Sequence, residues 1–183
     1  MESKFDVVVD ARKMFMKIFK TTTDSRLRYF QYKIIYRILP TGRFLFLRKL
    51  IDNPICTFCN NEEETLLHMF WNCICIRHFW RNVQDWLITH FKHCEKLVLS
   101  KELVILGCKK GKVTDRIFDL FVMLAKYYIF VSKIKKIVPH LNGFVKIVKR
   151  RFFDEKYLYS VRCNRGKFDI DWKLYRHFFE RID

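Results

Sequence analysis

The sequence predicts a mainly α-helical protein. Its 183 residues include only 5 Gly and 3 Pro, too few for the frequent turns of a β-sandwich. Half of the residues are hydrophobic, and apolar side chains recur at helical spacing in most segments. We expect an irregular helical domain at residues 1–107, followed by a basic C-terminal helical bundle at residues 108–183.

Three helices are predicted in the first part of the chain. Val7–Lys20 carries apolar residues at helical spacing, and a polar break follows it. A second helix runs from about Arg26 to Ile38 and ends before Pro40. Thr41 then caps a short helix, Gly42 to Leu50. The buried stripe of the second helix is expected to contain Leu27, Phe30, Ile34, Ile35 and Ile38.

The middle of the chain is less regular. Glu62–Glu64 is expected to open a helix, where the macrodipole favours acids, and another helix follows from about Ile76 to Phe91. No strong cap separates the two, so one bent element is an alternative. Leu97–Gly107 fits either a short strand or a helical turn, and Gly107–Thr114 reads as a basic loop.

The C-terminal part is predicted to contain two long helices and a final short one. The long helices are Asp115–Ile137 and Asn142 to about Val161. Asn164–Lys167 is expected to be a loop. Asp171 then caps a last helical piece that ends near Arg181.

One run, CTFCNNEEETLLHMFWNC, carries a complete set of metal donors. Cys56, Cys59, His68 and Cys73 have the spacing C-x2-C-x8-H-x4-C, and three thiols with one imidazole complete a tetrahedral zinc site. Four protein ligands leave no open position, so we expect one structural Zn²⁺ in a CCHC knuckle. A site with Cys75 in place of Cys73 is an alternative, and so are unligated thiols.

The chain is strongly basic, with 36 Lys and Arg against 19 Asp and Glu and a formal charge of +17. Such an excess favours a polyanionic partner, and RNA or single-stranded DNA is preferred here over a membrane surface. Two runs without acids, Ser25 to Ile51 and Leu120 to Phe153, concentrate the charge, and aromatic residues interleave with the first. The second run also contains Lys126, Lys133, Lys135 and Lys136. The candidate nucleic-acid-binding residues are Arg26, Arg28, Lys33, Arg37, Arg43, Arg48, Lys49, Lys146, Lys149, Arg150 and Arg151.

Other features bear on the compartment. Charged residues at positions 2, 4 and 6 interrupt any signal peptide, and the odd count of 7 Cys then favours metal binding over disulfides. The longest stretch without charge, Thr65 to Ile76, is shorter than the about 20 residues that span a bilayer. We expect an intracellular protein, nuclear or cytoplasmic, that does not span a membrane.

Catalytic motifs are weak. The chain has no adjacent Asp pair of the kind that a two-metal centre uses, and no P-loop or nucleophile elbow. Asp169, Asp171 and Lys173 are the one set that resembles a nuclease centre. The sequence therefore predicts a protein without enzymatic activity.

Several motifs together resemble a known family. Ile38-Leu39-Pro40-Thr41, then CTFCNNEEETLLHMFWNC, then Phe79-Trp80, are similar to the zinc-binding domain downstream of reverse transcriptase in LINE-type (non-LTR) retrotransposons. The Glu64-Thr65-x-x-His68-x-Phe70-x-x-Cys73 portion is the most specific part. The resemblance covers roughly Thr22 to Ile147.

This resemblance implies a C-terminal segment that grips template RNA and target DNA during reverse transcription, with Cys56, Cys59, His68 and Cys73 as ligands. The family's RNA-directed DNA polymerase and endonuclease motifs are absent from these residues. A nucleic-acid-binding module is therefore the first hypothesis. A protein-interaction module that docks a polymerase or another partner is the alternative, and a small nuclease is the third.

Overall fold

The computed structural model describes residues 11–95, 98–106 and 116–180. Nine α-helices, one π turn and one 3₁₀ turn organise this part of the chain, and a single isolated bridge between Ile55 and Glu63 is its only β pairing. The mainly α prediction is confirmed. In order, the elements are α1 Ala11–Thr21, α2 Ser25–Ile35, α3 Gly42–Leu47, the π turn His68–Asn72, α4 Ile74–His90, the 3₁₀ turn Lys92–Cys94, α5 Lys101–Leu106, α6 Arg116–Ile134, α7 Leu141–Val161, α8 Arg165–Trp172 and α9 Arg176–Glu180.

Helices α2 and α3 are both shorter than predicted, for the same reason. Arg37 and Lys49 adopt positive φ angles of 55° and 56°, a left-handed conformation that ends a helix. The next amide then turns back into the last helical turn, as when Ile38 N–H donates to the Lys33 carbonyl at 2.9 Å. Ile38 is consequently 41% exposed and does not belong to the buried stripe of α2. The predicted cap is present, since Thr41 Oγ1 accepts from Phe44 N–H at 3.2 Å.

The middle of the chain corrects one prediction and resolves another. Glu62–Glu64 does not open a helix, because this segment folds back on residues 54–56. Helical structure begins only at residue 66 and breaks at Cys73, so α4 is a separate element. Of the ambiguous segment Leu97–Gly107, residues 98–100 are irregular and Lys101–Leu106 form helix α5, so the helical alternative is the one observed. The predicted loop Gly107–Thr114 lies outside the described residues.

The C-terminal segment also differs from the prediction. Asn164–Lys167 is not a loop, because α8 begins at Arg165 directly after a left-handed Cys163 closes α7. Burial explains this early start, since Phe168 and Trp172 both pack against Phe152 of α7. Asp171 therefore lies inside α8 and caps no helix.

Helix α6 forms the centre of the molecule. Every residue from Leu120 to Lys126 is buried, so this helix is covered on all sides. It packs against α1, α2 and α5 from the first predicted part and against α7 and α8 from the second. Among the described residues, no helix is long and apolar enough to cross a bilayer.

A buried ion pair connects the segment around residue 64 to the end of α6. Glu64 Oε1 accepts from Lys133 Nζ at 2.6 Å and from Gly42 N–H at 2.7 Å, and its Oε2 has no hydrogen-bond partner among the described residues. Lys133 Nζ also donates to the Pro40 carbonyl at 2.7 Å. Gly42 is required here, because an added Cβ would lie 2.6 Å from the Pro54 carbonyl oxygen. One carboxylate thus holds three segments together.

Lys126 is a second cation that the fold places in its interior. Its Nζ lies within hydrogen-bond distance of Gln31 Oε1 and the Ile105 carbonyl, and its side chain is buried between α2, α5 and α6. Burial lowers the pKa of Lys126 to about 7. Both Lys126 and Lys133 belong to the second acid-free run of the sequence, but neither presents its charge to a partner.

We predict that Lys133→Met lowers the free energy of unfolding by about 3–5 kcal/mol, because it leaves the Glu64 carboxylate buried without its counter-charge. Urea denaturation followed by circular dichroism measures the loss. The exposed Lys135→Met is the matched control and should change stability by less than about 0.5 kcal/mol. Equal stability of the two variants would contradict a structural role for the pair.

Candidate metal centre

The four predicted donors converge on one point. One ligand atom from each of Cys56, Cys59, His68 and Cys73 lies within 4.8 Å of all the others. Two of the separations are 3.9 Å, between the Sγ atoms of Cys56 and Cys73, and 3.4 Å, between Cys59 Sγ and His68 Nε2. Tetrahedral Zn²⁺ with usual bond lengths requires about 3.8 Å between two sulfurs and about 3.6 Å between sulfur and nitrogen. The donors therefore fit zinc in number, type and spacing.

A tight turn positions the first two cysteines. Cys56 N–H donates to the Glu62 carbonyl at 2.8 Å, and Asn60 N–H donates back to the Cys56 carbonyl at 2.9 Å. Asn60 has a positive φ of 51°, which this residue type tolerates better than most. Phe58 N–H points at Cys56 Sγ at 3.4 Å, so the backbone also supports the sulfur. Both thiols consequently face the same side of the turn.

The π turn positions the other two donors. Cys73 N–H donates to the His68 carbonyl at 3.0 Å, which is the i to i+5 pattern of a π turn. In a regular α-helix, residues five apart are rotated by about 140° relative to each other and would face different sides. The wider turn brings them back toward one side, and the chain leaves helical geometry at Cys73, with ψ of 131°. The four-residue gap between His68 and Cys73 thus corresponds to one π turn.

The imidazole is oriented by a carboxylate. His68 is 2% exposed, and while its Nε2 faces Cys59, its Nδ1 lies 3.2 Å from Glu62 Oε2. Metal-binding histidines commonly donate their second ring N–H to such a group, which fixes the tautomer and the ring plane. The sequence pattern predicts a helix start at Glu62 and no contact with His68, because it does not show that the chain folds back here.

The two buried thiols, Cys56 and Cys73, share a hydrogen bond of 3.9 Å. The hydrogen bond from Cys56 to Cys73 raises the pKa of Cys56, and burial adds to the shift. The same hydrogen bond lowers the pKa of Cys73. Zinc binds thiolates, so metal binding at this pair must release protons.

Cys75, the alternative ligand, does not join the cluster. Its Sγ lies 3.5 Å from the Phe58 carbonyl oxygen, outside the group of converging donors. The nearby His78 is exposed. The structure thus favours Cys73 over Cys75 as the fourth donor.

The candidate nucleic-acid-binding residues fall into three classes. Arg28, Arg43 and Arg151 contact groups of the protein itself: Arg28 donates to the Thr22 and Phe19 carbonyls, Arg43 pairs with Glu63 at 2.6 Å, and Arg151 pairs with Asp24 at 2.7 Å. Lys33 and Lys149 lie over the rings of Tyr29 and Phe153. The exposed class comprises Arg26, Arg37, Arg48, Lys49, Lys146 and Arg150.

The structure does not bring the candidate nuclease carboxylates, Asp169 and Asp171, together in one site. Asp169 and Asp171 are two residues apart on α8, and residues at this spacing do not face each other on a helix. Asp169 pairs with Arg176 at 3.1 Å, whereas Asp171 accepts from the Tyr159 hydroxyl at 3.0 Å. Among the described residues these two carboxylates therefore form no common site.

Comparison with protein-family models gives a match to the N-terminal part of the chain. Residues 3–80 match a family model described as zinc-binding in reverse transcriptase, and the matched segment contains all four donors. No curated protein and no solved structure matches the chain significantly. The match and the donor cluster together support a zinc-binding domain associated with reverse transcriptase in this segment.

We predict that Cys73→Ser abolishes stable zinc binding and lowers the melting temperature, because the loss of one ligand opens the site. Atomic absorption on purified, reduced protein measures zinc per chain. Cys75→Ser is the matched control and should retain one zinc. Retention of zinc by Cys73→Ser and its loss from Cys75→Ser would show that the fourth ligand is Cys75.

Glu62→Gln should weaken zinc binding by about 10–100-fold without removing a ligand, because the neutral amide holds the His68 imidazole less strongly. Competition with a chromophoric chelator measures this affinity. Glu63→Gln changes the adjacent carboxylate, which faces Arg43 and not His68, and should leave zinc affinity unaltered. If both variants bind zinc as tightly as the unmodified protein, Glu62 has no orienting role.

Proposed function

We propose that the protein is a non-catalytic, zinc-stabilised module that binds RNA or single-stranded DNA through the outer face of α2. The observation that carries this proposal is a row of exposed tyrosines flanked by cations on this face. The face consists of Arg26, Tyr29, Tyr32 and Lys33 on α2 and of Tyr36 and Arg37 directly after it.

The tyrosine row presents ring surface to solvent. Tyr29, Tyr32 and Tyr36 are 59%, 38% and 52% exposed, although large aromatic residues usually contribute to a core. The rings of Tyr29 and Tyr32 are nearly parallel, with centroids 6.3 Å apart and planes 11° apart. Unpaired bases stack on such rings, and each stacked base contributes about 1–3 kcal/mol to binding.

Cations along the same face suit the phosphates of the strand. Arg26 and Lys33 lie on α2 and Arg37 lies just beyond its end, and Lys33 Nζ is 4.4 Å from the centroid of the Tyr29 ring. Electrostatic contacts of this kind are independent of base identity and weaken with added salt. The proposal assigns Arg28 and Arg151 to the fold instead, because Arg28 binds backbone carbonyls and Arg151 pairs with Asp24.

The metal site supports this face from behind. Phe30, on the buried side of α2, makes an edge-to-face contact with Phe70 of the π turn, with ring centroids 6.2 Å apart. Phe70 lies between His68 and Cys73, so an intact donor cluster fixes the surface on which α2 rests. A single structural Zn²⁺ would then maintain the binding face without contacting nucleic acid.

The resemblance to LINE-type elements extends this proposal. In that family the corresponding segment assists reverse transcription, so template RNA and target DNA are the natural ligands and a reverse transcriptase is a candidate protein partner. The family match supports the association with reverse transcriptase. This role places the protein inside the cell, in the nucleus or the cytoplasm.

We predict that Tyr29→Ala weakens binding of a fluorescent 20-nucleotide RNA by about 5–150-fold, the range that corresponds to the loss of one stacked base. Fluorescence anisotropy at fixed ionic strength measures the affinity. Tyr157→Ala is the matched control, because Tyr157 is 69% exposed on α7, away from the row. Equal loss in both variants would contradict a specific role for α2.

The salt dependence of the same binding reaction tests the cations. We expect log K to fall linearly with log salt, with a slope of about −0.7 for each phosphate contacted on a single strand. Arg26→Glu should reduce this slope, whereas Arg162→Glu, at an exposed position beyond α7, should not. A slope near zero for the unmodified protein would refute phosphate binding.

A further inference from the structure

An apolar cleft with a cationic rim lies beside the tyrosine row. It has a volume of about 650 Å³ and opens between the α2–α3 connection, α3 and residues 65–67. Ile38, Leu47 and Leu66 contribute apolar walls, and Arg37, Arg43 and Arg48 line the same cleft. Leu47 is 66% exposed and Ile38 is 41% exposed, so this apolar surface is accessible.

The interior of the cleft suits aliphatic groups better than nucleobases. The hydroxyls of its two threonines already accept backbone hydrogen bonds, Thr41 from Phe44 N–H and Thr65 from His68 N–H. The Phe44 ring is covered by the Arg48 guanidinium, whose central carbon lies 3.5 Å from the ring centroid. Base recognition needs hydrogen-bonding edges or open aromatic faces. Apart from Tyr36, which also belongs to the tyrosine row, the apolar lining consists of the covered Phe44 ring and of leucine and isoleucine side chains.

The rim complements carboxylates. Among the described residues that line the cleft, three are arginines and none is acidic. Arg43 already binds one carboxylate, that of Glu63 in the same chain, at 2.6 Å. Guanidinium groups bind carboxylates with paired hydrogen bonds, which fix orientation as well as affinity.

We propose that this cleft docks an acidic, leucine-rich amphipathic segment of a protein partner. Such a segment would place apolar side chains at helical spacing, i and i+3 or i+4, against Leu47 and Leu66, with Asp and Glu facing the arginines. The site adjoins the tyrosine row and shares Tyr36 and Arg37 with it, but its occupant is a protein and not a nucleic acid. The module thereby acquires a second ligand class.

Selection from a phage-displayed library of random 12-residue peptides tests this site on the zinc-loaded, full-length chain. Enriched peptides should combine Leu or Ile at helical spacing with Asp and Glu. Leu47→Asp should weaken the binding of a selected synthetic peptide by about tenfold or more, because a charge would replace a central apolar contact. Ile170→Asp, at a 76% exposed position on α8, is the matched control and should retain binding.

Further variants separate this site from the nucleic-acid face and control for folding. Tyr29→Ala should retain the selected peptide while its RNA affinity falls, so each site can fail independently of the other. Ile38→Asp changes another apolar residue of the cleft and should weaken binding of the selected peptide in the same way. The zinc content of this variant confirms that it is folded. Selected peptides without acidic residues would overturn the proposal, and so would equal peptide binding to Leu47→Asp and the unmodified protein. It would also be overturned if the library yielded no binding peptide and Leu47→Asp weakened RNA binding instead.

Discussion

The convergence of three thiols and one imidazole is the constraint on which the N-terminal half of the protein depends. Donor atoms that lie 3.4 Å and 3.9 Å apart are polar, and their thiolate forms repel each other. A divalent cation removes that repulsion and converts four separate groups into one rigid junction. The backbone around it is correspondingly irregular: a tight turn, a single β bridge and a π turn replace continuous helix. This irregular backbone allows the four donor atoms to lie close together.

Two contacts connect this junction to the neighbouring helices. Phe70 packs against Phe30, which orients α2, and Glu64 pairs with Lys133, which anchors the end of α6. The first contact is apolar and the second is a buried charge pair, so they differ in strength and in response to substitution. Because α6 also packs against α7 and α8, the junction influences helices far from it in sequence.

The parts of the structure that could be predicted from sequence are those set by local spacing. The C-x2-C and H-x4-C gaps fix which side chains can share a metal, and long apolar periodicity identifies α6 and α7. Glu62, Glu64 and Lys126 could not be assigned, because each role depends on a neighbour that the tertiary fold supplies. The acid-free runs combined solvent-facing cations with Lys126 and Lys133, since charge along a chain does not show which face of a helix it occupies. Helix ends were misplaced where Arg37 and Lys49, and not glycine, take the left-handed conformation.

The two gaps in the donor motif differ in their tolerance of length change. Between Cys59 and His68 the chain passes through exposed positions 60–62, where added residues would extend a loop at little cost. Between His68 and Cys73 the hydrogen bond from Cys73 N–H to the His68 carbonyl fixes the number of intervening residues. A deletion there would rewind the π turn into ordinary helix, and an insertion would turn the last thiol away. Related chains that keep this centre can therefore diverge in length on one side of the histidine only.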